Sequence, residues 1–156
     1  MAIRRLTDTQ YLPIPPEQAW EFFSDPRNLN LITPPEMQFV ILTPDLPERI
    51  YPGMIIQYKV SPLPGMRMEW LTEITHVEEG KFFVDDQRSG PYRLWHHQHH
   101  FSAKGTGTEM TDIVHYSLPL GFLGNLAGKW LVDHRVRQIF TYRARRLKEL
   151  FPAQMK

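Results

Sequence analysis

The chain has 156 residues, a formal net charge of +1 and no cysteine, and 42% of its residues are hydrophobic. This length fits one domain, 1–156, with a sizeable core, and the near-neutral charge gives no general attraction to nucleic acid or membranes. Without cysteine, disulfides and thiolate metal ligands are excluded. No signal-like N-terminus and no run of about 18 apolar residues is present, so we expect a cytoplasmic protein without a membrane span.

The first third of the chain predicts one strand, two short helices and a second strand. Residues 3–12 have the pattern of a strand, and the prolines at 15–16 favour a helix start, where a missing amide is harmless. Asp25 before a proline is typical of an N-cap, so a second short helix follows. We expect a strand at 37–42 and a proline-rich loop at 44–52.

From Gly53 onward the chain alternates apolar and polar residues with period two, which indicates strands with one buried face. The apolar faces of two consecutive segments are Met54, Ile56, Tyr58 and Val60, and then Met68, Trp70, Thr72 and Ile74. Glycine- and proline-containing turns separate the segments, and connections this short imply antiparallel neighbours. We therefore predict about six strands in a meander after the short helices.

Residues 127–151 predict one long amphipathic helix that ends at Pro152. Its apolar face comprises Val132, Val136, Ile139, Phe140, Ala144, Leu147, Leu150 and Phe151. Arg143 lies in the middle of this face, where a charge needs a partner, and we predict that Asp112 or Asp85 supplies it. A sheet with one apolar face and one amphipathic helix bury their apolar faces against each other when the sheet curls around the helix, which is an α+β arrangement.

Several stretches are similar to a known superfamily in their residues as well as in the order of elements. They are residues 16–29, 32–35, 83–101, 112–116, 119–121 and 139–143. The chain resembles bacterial ligand-binding proteins of the START and Bet v 1-like (SRPBCC, polyketide cyclase-like) superfamily. This resemblance implies a helix-grip fold, with about seven curved antiparallel strands around the C-terminal helix and two short helices after strand 1. It also implies a hydrophobic cavity for a hydrophobic or amphipathic small molecule, without implying one reaction.

The most unusual chemistry is the group of four histidines within residues 96–100. Because alternate side chains of a strand point to opposite faces, Trp95, His97, His99 and Phe101 share one side. The aromatic residues identify this side as the inner one. His96 and His100 are expected to be solvated on the outer face. The inner histidines would then face Asp112, Asp85 and Arg143.

Three interpretations of this inner cluster remain open. The first is a structural network in which buried imidazoles and carboxylates satisfy one another and Arg143. The second is ligand recognition, in which the same groups orient a carboxylate, hydroxyl or carbonyl at the polar end of an apolar pocket. The third is chemistry: His97 and His99 could hold a divalent ion with Asp112 as third ligand, or a His–Asp pair could act as general acid and base.

The prediction is a cavity that binds a hydrophobic or amphipathic small molecule. The residues expected to line or support it are Tyr58, Met68, Trp70, Asp85, Gln87, Trp95, His97, His99, Met110, Asp112, Tyr116 and Arg143. We expect no cofactor and assign no metal site. The main alternative is an enzyme of the cyclase or dehydratase kind that uses His97 or His99 with Asp112. A third hypothesis is that the chain is an accessory module that acts through another protein. Residues 118–124 are either a candidate lid over the cavity or a plain connection between the last strand and the helix.

Overall fold

The computed structural model describes residues 3–63, 65–118 and 126–153, with the backbone alone at 63 and 126–129. Seven strands form one antiparallel sheet in the order β1-β7-β6-β5-β4-β3-β2. The strands are β1 (Arg4–Leu12), β2 (Val40–Ile41), β3 (Met54–Leu63), β4 (Met66–Glu78), β5 (Phe82–Ser89), β6 (Leu94–Lys104) and β7 (Gly107–Ser117). Strands β2 to β7 follow one another as the predicted meander of about six strands, and β1 pairs with β7, so β1 and β2 are the two edges.

Helix α1 (Pro16–Ser24) follows β1, and two 3-10 helices (Pro26–Ile32 and Pro35–Met37) connect it to β2. Asp25 caps the first 3-10 helix, because its carboxylate accepts a hydrogen bond from the backbone amide two residues on, at 3.0 Å. The expected second short helix is therefore present in 3-10 form. The strand expected at 37–42 is reduced to the two residues of β2, because Gln38 has a left-handed φ of 46° that delays the extended backbone.

The long helix α2 (Leu126–Leu150) lies against the inner face of the sheet, one residue from the predicted bounds. Val132, Val136, Phe140 and Leu147 of its apolar face are buried at 9% exposure or less. On edge strand β1, Gln10 donates a side-chain hydrogen bond to the Ala144 carbonyl at 3.0 Å. The seven-stranded sheet and the helix it surrounds confirm the predicted helix-grip α+β fold. Among the described residues, none of the helices has the length and hydropathy needed to cross a membrane.

The strand register brings the polar residues of the inner face together. Asp85 of β5 lies directly opposite His97 of β6, and His99 of β6 lies directly opposite Asp112 of β7. Directly opposed residues point to the same face of a sheet, so four chemically active side chains meet in the middle of it. The candidate lid at 118–124 lies outside the described residues, except for Leu118.

Candidate ligand-binding site

A cavity of about 180 Å³ lies between the inner face of the sheet and helix α2. Side chains from α1, both 3-10 helices, β3 to β6 and α2 line it, and most of them are apolar or aromatic. For scale, an apolar cavity of about 150 Å³ in another protein binds benzene. The cavity therefore has room for a small aromatic molecule without any movement of the wall.

Four aromatic side chains pack around one another in one part of the cavity wall. The Trp70 and Trp95 rings are 5.4 Å apart between centroids, and Tyr92 lies 4.7 Å from Trp95. Tyr58 is 6.1 Å from Trp70. Tyr92 was not predicted from the sequence, because it lies in the turn between β5 and β6. Gln87 holds that turn: its amide donates to the Tyr92 carbonyl at 2.6 Å and accepts from the Tyr92 amide at 3.2 Å.

The polar cluster is built around two carboxylates and two imidazoles. His99 contacts both carboxylates, with Nε2 at 2.8 Å from Asp85 Oδ2 and Nδ1 at 2.9 Å from Asp112 Oδ1. His97 places Nε2 at 2.9 Å from the same Asp112 oxygen and Nδ1 at 3.6 Å from Asp85 Oδ2. The Arg143 guanidinium lies 3.6 Å from Asp112 Oδ1, which confirms the prediction that one of these carboxylates holds it.

The two inner histidines are closer than their positions along the strand suggest. Residues two apart on a strand are separated by about 7 Å along its axis. The centroids of the His97 and His99 rings are nevertheless only 3.8 Å apart. Both rings lean toward Asp112, because each places one nitrogen on the same carboxylate oxygen. Phe83 stacks on His99 at 4.0 Å, which closes the other side of that imidazole.

The charges in the cluster follow from these contacts. Burial disfavours charge on His99, but its hydrogen bonds to Asp112 and Asp85 outweigh burial and raise its pKa. Burial and then the nearby positive charge of His99 lower the pKa of His97. Burial opposes ionisation of Asp112, but Arg143 and the two histidines hold the pKa of its carboxyl well below the usual range. The contacts therefore favour protonation of His99 and disfavour protonation of His97, beside two carboxylates that Arg143 helps to hold ionised.

Asp8 on β1 is a further member of this region that the sequence-based prediction missed. It lies directly opposite Asp112 and is half-buried. Burial and then the negative charge of Asp112 raise its pKa, while Arg143 opposes the shift. The alternation of β1, which places Leu6, Asp8 and Gln10 on one side, is the signal that would have found it.

Seven of the twelve predicted site residues line the cavity: Tyr58, Trp70, Asp85, Trp95, His97, His99 and Arg143. The other five lie elsewhere. Asp112 contacts the two inner histidines, Gln87 holds the Tyr92 turn, and Met110 is buried in the core. Tyr116 donates its hydroxyl to a carboxylate on α2 at 2.7 Å, and Met68 is half-buried on β4, away from the lining.

The outer histidines differ from the solvated pair that we expected. His96 and His100 are both half-buried, and Gln98 connects them through hydrogen bonds of 3.1 and 3.0 Å. His96 also pairs with Asp86 at 2.7 Å. Side chains of the neighbouring strands cover them: Phe82 of β5 stacks on His100 at 5.5 Å, and His115 of β7 lies 6.1 Å from His96. A polar network on the outer face results.

Comparison with known proteins places this geometry in a family. Residues 12–140 match the family model described as polyketide cyclase/dehydrase and lipid transport. The chain belongs to that family. The family description combines cyclase chemistry with lipid transport, so this polyketide cyclase family member is expected to bind a hydrophobic ligand or to cyclise one. A search of curated protein sequences finds no match to it.

Solved structures show the same fold for this polyketide cyclase family member. The Zhui aromatase/cyclase from Streptomyces sp. R1128 matches with a TM-score of 0.75 and 13% identity over 99% of this chain and 100% of that chain. Protein Ms6760 from Mycobacterium smegmatis matches at 0.67 and 20% identity, over 98% of each chain. The major latex-like protein 151 from Panax ginseng matches at 0.68 and 15% identity, over 96% and 98%. At these identities the likeness is one of fold alone.

Proposed function

We propose that the chain, as one domain over residues 1–156, binds a small apolar or amphipathic molecule that carries an oxygen acceptor. Its apolar part packs among the aromatic side chains of the cavity. Its polar end faces Arg143 and the inner histidines. The observation that carries the proposal is an apolar cavity of about 180 Å³ into which these few polar groups converge.

The unpaired donors of the lining support an acceptor on the ligand. Trp70 Nε1 and Arg143 Nε are both buried, and neither has a hydrogen-bond partner among the described residues. Buried polar groups are nearly always paired in native proteins, so such donors mark positions where another group fits. Both residues line the cavity, and a carbonyl, hydroxyl or carboxylate oxygen supplies the acceptor that each lacks.

The size of the cavity limits the ligand. Pockets for drug-sized ligands have volumes of about 300–1,000 Å³, so this cavity suits a smaller molecule of one or two rings. A longer lipid-like ligand would require outward movement of the wall. Two-ring aromatic compounds with and without an oxygen substituent are therefore suitable probes.

Native mass spectrometry of the freshly purified protein, followed by denaturing extraction, tests whether a molecule of this class co-purifies. Calorimetric titration then compares naphthalene with 2-naphthol and 2-naphthoate. We expect the oxygenated probes to bind more tightly, because they satisfy the unpaired donors. Equal affinity for all three probes, or no binding of any of them, contradicts the proposal.

Trp70→Phe isolates the indole donor, since it keeps an aromatic side chain and removes the N–H. One lost hydrogen bond of about 1 kcal/mol weakens 2-naphthol binding about fivefold and leaves naphthalene binding unchanged. Trp130→Phe is the matched control, because Trp130 is 67% exposed on α2 and does not line the cavity. A Trp70→Phe protein that binds both probes as tightly as the control protein refutes the role of this donor.

A second candidate function is acid–base catalysis of the cyclase or dehydratase kind. The observation that favours it is the 2.9 Å contact between His97 Nε2 and Asp112 Oδ1, which orients an imidazole that lines the cavity. Replacing His97 and His99 by glutamine separates the two functions. A binding protein keeps measurable affinity, whereas an enzyme keeps its ligand but loses turnover.

A further inference from the structure

Three side chains on the cavity wall converge with the spacing of a metal centre. Asp85, His97 and His99 each offer one ligand atom, and the three atoms lie within 4.8 Å of one another. Asp85 Oδ2 is 2.8 Å from His99 Nε2 and 3.6 Å from His97 Nδ1. Ligand atoms on a tetrahedral zinc ion with bonds of about 2.0–2.1 Å are roughly 3.3 Å apart. These two separations bracket that value and the third is no longer than 4.8 Å, so small side-chain movements would complete the site.

The opposite edge of each imidazole is already held in the orientation that a metal ligand requires. His97 Nε2 and His99 Nδ1 each lie 2.9 Å from Asp112 Oδ1. When both nitrogens donate to that oxygen, the lone pairs of His97 Nδ1 and His99 Nε2 both face Asp85. A metal-bound histidine usually donates its other ring N–H to a carboxylate in this way, which fixes its tautomer and raises its basicity.

The charge of the cluster also favours a cation. Two carboxylates and one guanidinium leave one negative charge when both imidazoles are neutral, so a bound cation would take the place of the proton that His99 otherwise holds. Arg143 contacts the cluster from the side of Asp112: its terminal nitrogen is 3.6 Å from Asp112 Oδ1 and 3.5 Å from His99 Nδ1. The guanidinium therefore holds the supporting carboxylate and not the three atoms that converge on one another.

We propose that Asp85, His97 and His99 bind one divalent first-row transition-metal ion, with zinc the best match, at the wall of the cavity. Two imidazoles and one carboxylate are typical ligands of zinc and of its neighbours in the series, whereas magnesium and calcium prefer oxygen alone. This set differs from the one that the sequence suggested, because Asp112 supports the histidines and Asp85 takes the place of the third ligand. Since the three ligands line the cavity, the remaining coordination positions are open to a ligand oxygen or to water.

The proposal goes beyond the proposed function, since an ion can bind whether or not the cavity accepts an organic ligand. Chelator-treated full-length protein is titrated with Co²⁺, which reports a protein-bound site by visible absorption, and Zn²⁺ is then added as competitor. We expect one Co²⁺ per chain and loss of the absorption when Zn²⁺ displaces it. Wild-type protein without any such absorption, or with absorption that Zn²⁺ does not remove, overturns the proposal.

Variants locate the ion. His97→Gln and His99→Gln remove one ligand each, and we expect either variant to lose the Co²⁺ absorption. His96→Gln/His100→Gln is the matched control from the outer face of the same strand, and it should bind Co²⁺ as the wild type does. Asp112→Asn removes the supporting carboxylate and should weaken binding about 10- to 100-fold. Absorption that disappears only in the outer-face variant places the ion elsewhere and refutes the inference.

A readout on the wild type keeps the test decisive if the inner variants fail to fold. The ¹⁵N resonances of the imidazole nitrogens distinguish bound from free ring atoms. Zn²⁺ should shift His97 Nδ1 and His99 Nε2 and leave the protons on the other two nitrogens in place. Shifts confined to His96 or His100 contradict the proposed ligands. Naphthol binding by the metal-free protein is measured separately, so failure of one proposal does not count against the other.

Discussion

Arg143→Met is the substitution that tests most directly how the buried cluster is balanced. Arg143 is only 7% exposed, and its guanidinium lies 3.6 Å from Asp112 Oδ1. At an effective dielectric constant of about 20, two unit charges at this distance interact with about 4 to 5 kcal/mol. Methionine keeps much of the apolar stem and removes the charge, so Asp112 and Asp85 would lose the guanidinium that favours their ionised forms.

Removal of one partner from a buried ion pair typically costs about 3–5 kcal/mol, because a charge is left without compensation. We expect Arg143→Met to lower the free energy of unfolding by about 3 kcal/mol at pH 7. The lower part of that range applies because His97 is able to take up a proton and partly restore the balance. The loss should therefore be smaller at pH 5.5 than at pH 7.

Urea unfolding followed by tryptophan fluorescence measures this loss as a change in midpoint at constant slope. Arg145→Met is the matched control, since Arg145 lies on the same helix with its side chain 68% exposed, and the expected change is within about 0.5 kcal/mol. Asp112→Asn in the Arg143→Met background should recover part of the loss, because it removes the uncompensated charge. An Arg143→Met protein as stable as the Arg145→Met protein would refute the reasoning.

Three further results are expected. The lowered pKa values of Asp112 and Asp85 give the fold stability that is present above about pH 3.9 and is lost as the pH falls through the folded values, so urea midpoints should drop on acidification below about pH 4, and midpoints that stay constant there contradict this. Asp8→Asn should stabilise the protein by about 0.5 kcal/mol at pH 7, because it removes repulsion from Asp112; a loss of stability there contradicts the assigned repulsion. Ile139→Trp, which adds volume at the cavity wall, should weaken 2-naphthol binding more than tenfold while circular dichroism stays native, and unchanged affinity would place the ligand elsewhere.

Local patterns in the sequence are sufficient to predict which side of each main element is buried. Strict alternation placed His97 and His99 on the inner side of β6, and both are 5% exposed. Helical spacing placed Arg143 among the buried residues of α2, and the need of a buried charge for a partner pointed to Asp112 or Asp85, of which Asp112 is the one that it contacts. These features follow from backbone geometry within a single element, so a local pattern is sufficient to predict them.

Contacts between elements depend on how the strands pair, which no local pattern predicts. Asp85 and Asp112 contact opposite edges of the same imidazole because β5 and β7 flank β6 in a particular register. Asp8 lies beside them because β1, the first strand of the chain, pairs with β7, the last one, and places Asp8 opposite Asp112. Turns and bulges set such registers, and a shift of one residue reverses every side chain of a strand. The residue pattern of a single strand does not specify its register against the neighbouring strands. The three-dimensional structure is therefore needed to show that Asp112 supports the histidines and that Asp85 faces the cavity.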